Sequence, residues 1–395
     1  MKAPSDLALD VLGTSFTVHW GPAVTFAQRQ SMTRAWSRCL SDSFVVAPQT
    51  VPCASDQPFT ASVRYESKLP GAGVRHLRSD SFAGLAEAVT SEVTVAAILE
   101  RAGELTMLHA CGVADEEGRV VALVAKSGTG KTTASSQLAR TFGYVTDETV
   151  AIRADGTIEP YPKPLSVKQT TTGAAKLQVG PDELGLKVAP EGPRITSIAL
   201  LDRVTGGEYQ LPVIEPVPLV DAVLALIPDT SSQAAVLQPL QSLCRLIDSV
   251  GGVLRVSYSE AADLTDSLAP LFLAQPYDRP EVITAWAPAL LESEAEQADH
   301  QAGEKKEEPI PGGWLQRTDA VDAVEIGGDL LVLTETEVIR LSGIGPIIWQ
   351  TAQRPVSLQT LAARIEAVHG LPEGYEVLLD AAVEGLVGQG LLLRG

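Results

Sequence analysis

The segment VVALVAKSGTGKTTASSQLA, Val120 to Ala139, constrains this chain more than any other. It opens on β-branched and apolar residues, passes through a glycine-rich turn and continues in a helix-compatible pattern. An apolar run of this kind predicts a buried strand, and the glycines permit backbone angles that other residues resist. A strand that delivers its carboxyl end into a tight turn and then a helix is the building unit of a layered α/β fold. The rest of the chain must be compatible with that unit.

The turn also carries chemistry. It follows the spacing G-x-x-x-x-G-K-[ST], in which successive backbone N–H groups and a helix N-terminus cradle phosphate oxygens. The candidate phosphate-binding residues are Ser127, Gly128, Thr129, Gly130, Lys131, Thr132 and Thr133. Gly128 and Gly130 allow close approach, Lys131 brings a cation to the β- and γ-phosphates, and Thr132 offers a hydroxyl to Mg²⁺. Ala125 stands where the first glycine of the pattern belongs. If that position needs a positive φ, alanine costs about 1–2 kcal/mol; at a negative φ it costs next to nothing.

Sixteen residues beyond Lys131, the stretch GYVTDETVAI brings Asp147 and Glu148 to the expected end of a neighbouring strand. An aspartate there binds Mg²⁺ through water or takes a proton from an attacking hydroxyl. Taken alone, an Asp-Glu pair is as compatible with an exposed turn. His109, in TMLHACGVA, precedes a turn at Glu116-Glu117-Gly118. A histidine in an apolar strand is more often a satisfied core residue, and His19, His76, His300 and His369 have no context that suggests otherwise.

Composition narrows the classes. A chain of 395 residues has room for two or three domains, and 45% hydrophobic content fills packed cores. The formal net charge is -19, from 49 acidic and 30 basic residues. That excludes a large nucleic-acid footprint, which needs clustered Lys and Arg, but not a nucleotide held by a few local donors. Cys39, Cys53, Cys111 and Cys244 lie far apart with no C-x-x-C pair, so neither a zinc site nor a disulfide framework is expected. Every apolar run is broken by a charge, Pro or Gly before spanning length, so no membrane helix is expected. The opening MKAPSDLALDVLG lacks the apolar core of a signal peptide, and a cytoplasmic location is the simplest reading. A homo-oligomer is left open.

The stretch ESEAEQADHQAGEKKEEPIPGG, 292–313, is polar and poor in large apolar residues and reads as a flexible linker. Upstream, strand-like and helix-like segments alternate, predicting an α/β domain over 101–291 with a mixed central sheet. An α/β region over 1–100 packs on it or forms part of it. Downstream, over 314–395, AVEIGGDLLVLTETEVIRL predicts three short strands with turns at Gly327-Gly328 and Thr334–Thr336. Three helices should follow, the second capped by Ser357 and ending before Gly370.

With these residues in view, LHACGV…GRVVALVAKSGTGKTT…FGYVTDETVAI resembles the nucleotide-binding core of the HPr kinase/phosphorylase family. The match is close from Leu108 to Ile152 and looser to about Leu271, and YPKPLSVK, Tyr161 to Lys168, looks like a segment of the family's shorter, HPr-independent relatives. The resemblance implies an α/β P-loop kinase fold with ATP and Mg²⁺. It puts the catalytic acid on Asp147, the second acid on Glu148 and a phosphate-contacting histidine on His109. Metal-binding positions would be Thr132, Asp147 and Glu148. Tyr161, Lys163 and Lys168 are expected on the acceptor side. Glu148 replaces the family's second Asp, and no E-I-R-G-x-G segment is present, so HPr is not the expected acceptor.

The C-terminal part resembles the PqqD-like family of peptide-recognition elements, through EVIRLSGIGPIIW, SLQTLAARIEAVHG and LVGQGLL. Such elements have a small winged-helix-like fold and take a leader peptide as an added strand, here along Glu335–Leu341. Trp349 reads as core. A winged-helix DNA reader fits poorly with five Arg and no Lys against eleven acids from Gly313 to Gly395. Together the two resemblances imply a kinase that phosphorylates a Ser or Thr hydroxyl of a ribosomally made precursor peptide. A small-molecule kinase and a nucleotide-binding scaffold that delivers a peptide to another enzyme are the alternatives.

Overall fold

The computed structural model describes residues 6–41, 58–67, 73–126, 130–169, 175–205, 209–273, 285–290, 310–335 and 337–395. Ser127, Gly128 and Thr129 of the glycine turn and most of the 292–313 linker lie outside the described residues. Contacts divide the chain into two compact units. The first comprises Met1–Val217, Pro228–Val236 and Leu246–Pro280, and the second Pro218–Ile227, Leu237–Arg245 and Glu281–Gly395.

The first unit begins with an antiparallel meander of β1 (Leu7–Val11), β2 (Thr14–Trp20), β3 (Phe59–Tyr65) and β4 (Val74–Ser79). Alternation decides its inner face: Leu7, Leu9 and Val11 on β1, and Phe16, Val18 and Trp20 on β2, are buried. Helix α1 (Phe26–Ala35) starts at a capping box between Thr25 and Gln28. Helix α2 (Phe82–Glu100) is one helix of 19 residues, apolar and long enough to cross a membrane by length and composition alone. Gly84, Glu87 and Glu92 interrupt its apolar run. Its Leu85, Ala86, Val89, Val93 and Ala97 are buried in the same core as the meander, which accounts for its apolar content.

A small sheet then joins β5 (Thr106–Leu108), β9 (Val150–Ile152), β10 (Ile158–Glu159) and β16 (Thr230–Ser231). Strands β11 (Leu165–Val167) and β12 (Leu177–Val179) form a separate hairpin pair. The main sheet has seven strands in the order β13 (Lys187–Val188), β8 (Gly143–Thr146), β6 (Ala110–Ala114), β7 (Arg119–Val124), β14 (Arg194–Arg203), β17 (Val253–Tyr258), β15 (Val213–Val217). It is mixed, as expected: β7, β14 and β17 are parallel, β6 runs against both β7 and β8, and β15 runs against β17. Strands β8, β7, β14 and β17 therefore point the same way and end along one edge. Burial on both faces explains why β7, RVVALV, is a continuous apolar run rather than an alternating one. Helix α3 (Lys131–Leu138) returns from the end of β7 and packs Ala134 and Leu138 into the sheet's core, and α6 (Leu264–Leu273) adds Leu264, Leu268 and Phe272. Gly143 is required where β8 meets the segment after β13, because a Cβ there would lie 2.5 Å from Ala189 Cα.

The second unit is built from three stretches of chain. Its sheet runs β18 (Trp286–Pro288), β20 (Asp322–Ile326), β21 (Asp329–Leu333), β22 (Val338–Leu341). Three helices follow: α7 (Gly345–Thr351), α8 (Leu358–His369) and α9 (Tyr375–Gly388). Strand β23 (Leu392–Arg394) then pairs with β19 (Leu315–Arg317). Ser357 caps α8 by accepting from Thr360 N, and Gly370 ends it at φ +72°. Trp349 is fully buried in this core, with the Arg317 guanidinium 4.2 Å from its ring centroid. Helix α4 (Leu219–Leu226) and residues 239–245 of α5 (Pro239–Ser249) also belong here. Asp322 is buried and receives the Leu240 and Gln241 N–H groups on Oδ2 at 2.9 and 3.0 Å, so it caps α5 from 81 or more residues away.

Candidate active site

The chemistry gathers in the first unit, beyond the carboxyl ends of β7 and β8. This is where open α/β sheets present ligand sites, because the strand ends leave a crevice floored by backbone. A cavity of about 640 Å³ lies at the other end of β7, lined by Arg119, Phe142, Lys187 and Phe272 among others. None of the sequence-derived site residues lines it.

Gly130 caps α3 at φ +99°, a left-handed conformation that a side chain would strain, so glycine is needed here. Ala125, by contrast, is not among the positive-φ residues and is buried in the sheet's core. The missing first glycine of the motif therefore costs this loop next to nothing. Lys131 opens α3 and is buried, its Nζ donating to the His109 backbone carbonyl at 3.0 Å. Burial pulls its pKa below the ordinary lysine range, against the opposing pull of Cys111, Asp229, Glu148 and Asp147. Thr132 is half-buried and Thr133 exposed.

His109 lies at the step between β5 and β6, where the chain leaves the small sheet for the main one. Its backbone N–H donates to the Asp229 carbonyl at 2.6 Å. Burial and the Lys131 charge both lower its pKa, more than Glu148 and Asp229 raise it. At neutral pH the ring is therefore a neutral imidazole, suited to hydrogen bonding rather than to carrying charge.

Asp147 and Glu148 follow the last residue of β8, Thr146, whose hydroxyl accepts from the Glu148 and Thr149 N–H groups at 3.2 and 3.3 Å. This turn fixes both acids at the strand end. Between them lies Lys163, fully buried, with Nζ 3.0 Å from Asp147 Oδ1 and 2.9 Å from Glu148 Oε2, donating also to the Pro164 carbonyl. The Tyr144 hydroxyl donates to Asp147 Oδ1 at 3.1 Å and lies 3.1 Å from the Lys163 carbonyl. Burial disfavours the Lys163 charge, but the two carboxylates outweigh it and raise its pKa above the ordinary lysine value. Burial likewise pushes Glu148 up, and Lys163, His109 and Lys131 together bring it below the usual carboxylate range. One buried ammonium thus bridges two carboxyl side chains, Asp147 buried and Glu148 partly exposed.

The sequence put Tyr161, Lys163 and Lys168 on the acceptor side, and burial corrects this for Tyr161 and Lys163. Tyr161 is fully buried, its hydroxyl 2.7 Å from Thr94 Oγ1 of α2, and it belongs to the core that α2 shares with the meander rather than facing a ligand. Lys163 is sealed against the two acids, and Lys168 is exposed.

One residue went unread. Arg203 ends β14, next to β7, and a Cβ placed on Gly130 would lie 3.9 Å from its Nη1.

Among the described residues, no group of three or more His, Cys, Asp or Glu side chains is arranged to hold a metal ion. The oxygen donors of Thr132, Asp147 and Glu148 are nonetheless the kind that Mg²⁺ takes when phosphates and water complete its shell.

No family model matches the chain, and no curated protein matches it. Among solved structures, the Hpr(Ser) kinase/phosphatase from Coxiella burnetii aligns over 42% of this chain and 92% of that one, at 12% identity and a TM-score of 0.24. A likeness at that score adds nothing to the geometry above.

Proposed function

We propose that this chain is an ATP-dependent kinase that phosphorylates a Ser or Thr hydroxyl of a ribosomally made precursor peptide, in the cytoplasm. The observation that carries the kinase reading is the convergence of Gly130, buried Lys131, His109, Asp147 and Glu148 at one end of one sheet. In this reading the α3 N-terminus and Lys131 hold the β- and γ-phosphates. Asp147 accepts the proton of the acceptor hydroxyl as its oxygen bonds to the γ-phosphorus and the bond to the ADP oxygen breaks. His109, as neutral imidazole, hydrogen-bonds a phosphate oxygen. Thr132 and Glu148, with Asp147, would hold Mg²⁺, which supplies charge neutralisation to the phosphates when bound.

For the peptide, β22 is the last strand of its sheet among the described residues, pairing with β21 alone. An unpaired strand edge accepts an extended peptide through backbone hydrogen bonds. This supports the PqqD-like reading of Glu335–Leu341, of which Thr336 lies outside the described residues.

A second reading is favoured by one observation. Lys163 already occupies an oxygen of each acid, as in a protein that binds nucleotide without transferring phosphate. The test is mass spectrometry of a precursor peptide, encoded beside this protein, after incubation with ATP and Mg²⁺. Gain of one phosphate, reduced by roughly 10²–10⁴ in rate in Asp147→Asn, is expected for the kinase. Nucleotide and peptide binding with no phosphate gained selects the scaffold.

A further inference from the structure

We infer that Arg203 is a phosphate ligand supplied in cis, standing on the leaving-group side of the nucleotide. The inference rests on the proposed nucleotide site and extends it to a residue outside the motif.

Four observations carry it. First, position: β14 is the parallel neighbour of β7, so its last residue arrives at the same edge as Gly130 and Lys131. Second, proximity: Nη1 lies 3.9 Å from where a Gly130 Cβ would be, over the residue that caps α3. Third, orientation: Nε donates to the Ser259 carbonyl at 3.1 Å, just beyond the end of β17, which fixes the plane of the guanidinium. Fourth, availability: the ion pair to Glu260 is loose, at 3.6 Å between side chains 38% and 62% exposed. An exposed pair of that kind contributes little and gives way readily to a stronger anion. A planar fork held at Nε and only loosely paired at Nη2 is suited to phosphate oxygens.

The sheet order then says which phosphate. The acids and His109 belong to β8 and to the start of β6, on one side of β7; Arg203 belongs to β14, on the other. Phosphoryl transfer places the attacking and departing oxygens roughly in line on opposite sides of phosphorus. With Asp147 on the attacking side, a cation across β7 faces the oxygen that departs with ADP. There it stabilises charge as the bond to the β-phosphate oxygen breaks, and no neighbouring subunit need supply an arginine.

The test measures the dissociation constants of MgADP, MgATP and AMP for the full chain and for Arg203→Ala, Arg203→Lys and Lys131→Met. Arg203→Ala should bind MgADP roughly ten- to a hundredfold more weakly, the loss expected for one charge-assisted hydrogen bond, with AMP little changed. Arg203→Lys should recover part of the loss, because the charge remains while the anchored fork does not. Thermal melting of each variant checks that it folds, which the exposure of Arg203 favours. If Arg203→Ala binds MgADP as the unmodified chain does, while Lys131→Met does not, the inference is wrong and the nucleotide site stands. Equal losses for AMP and MgADP also overturn it, since the contact would then not be to the β-phosphate. If the unmodified chain binds neither MgADP nor MgATP, the nucleotide site itself fails, and Arg203 with it.

Discussion

Lys163 Nζ lies 3.0 Å from Asp147 Oδ1, and the two side chains are 2% and 3% exposed. A charge pair removed from water to this extent is held only while both partners remain. Lys163 also reaches Glu148, so one ammonium serves two carboxylates at the centre of the proposed site.

Lys163→Met should therefore cost about 3–5 kcal/mol of folding stability, because it leaves Asp147 buried without its cation. The pH dependence has a definite sign. Glu148 has a lowered pKa, so its share of stability is present above the ordinary glutamate range and is lost as pH falls through its own lower value. Lys163 has a raised pKa, so its share is present below the ordinary lysine value and is lost only as pH rises through its own higher one. Urea unfolding across pH should show the gap between the two proteins constant through neutrality and closing in acid. A gap that persists unchanged in acid would mean the pair contributes nothing.

Nucleotide affinity should weaken in mild alkali. Lys131 must be charged to hold phosphate, and burial lowers the pKa at which it loses its proton in the free protein. The dissociation constant of MgATP is expected to rise with pH before the ordinary lysine range is reached. Lys131→Arg should move that rise to higher pH, because a guanidinium keeps its proton throughout. An affinity flat up to the ordinary lysine value, in both proteins, would contradict this.

Restoring the motif should do harm rather than good. Ala125 is buried and has no positive φ, so Ala125→Gly removes a packed methyl and frees the unfolded chain. A loss of roughly 0.5–1 kcal/mol is expected in a melting experiment, with MgATP affinity unchanged. A clear gain in affinity would show that the loop wants glycine there.

Much of the first unit was legible because strand periodicity and turn chemistry are local. The run RVVALV and the helix start at Gly130 and Lys131 identify themselves, as do Asp147 and Glu148 at a strand end. Ser357 and Gly370 bounded α8 for the same reason. What was not legible is what only the third dimension brings together. Lys163 is 16 and 15 residues from its two acids, and nothing in YPKPLSVK says that its ammonium turns inward. Arg203 reaches Gly130 only because β14 crosses over to lie beside β7, and sheet order is invisible to residue spacing. The turn at Thr146 divides YVTDETVAI between two sheets, and which sheet each part joins is likewise set only in three dimensions.

The buried carboxylate of Asp322 has a consequence for how this chain is taken apart. It receives the Leu240 and Gln241 N–H groups and, at 2.9 Å, the Gln241 side-chain amide. A fragment cut at Gly313, where composition marks a natural seam, would carry Asp322 away from all three donors. The second unit is therefore no cassette to be excised or grafted at its linker: its boundary runs through a helix that the genetic order assigns to the other half.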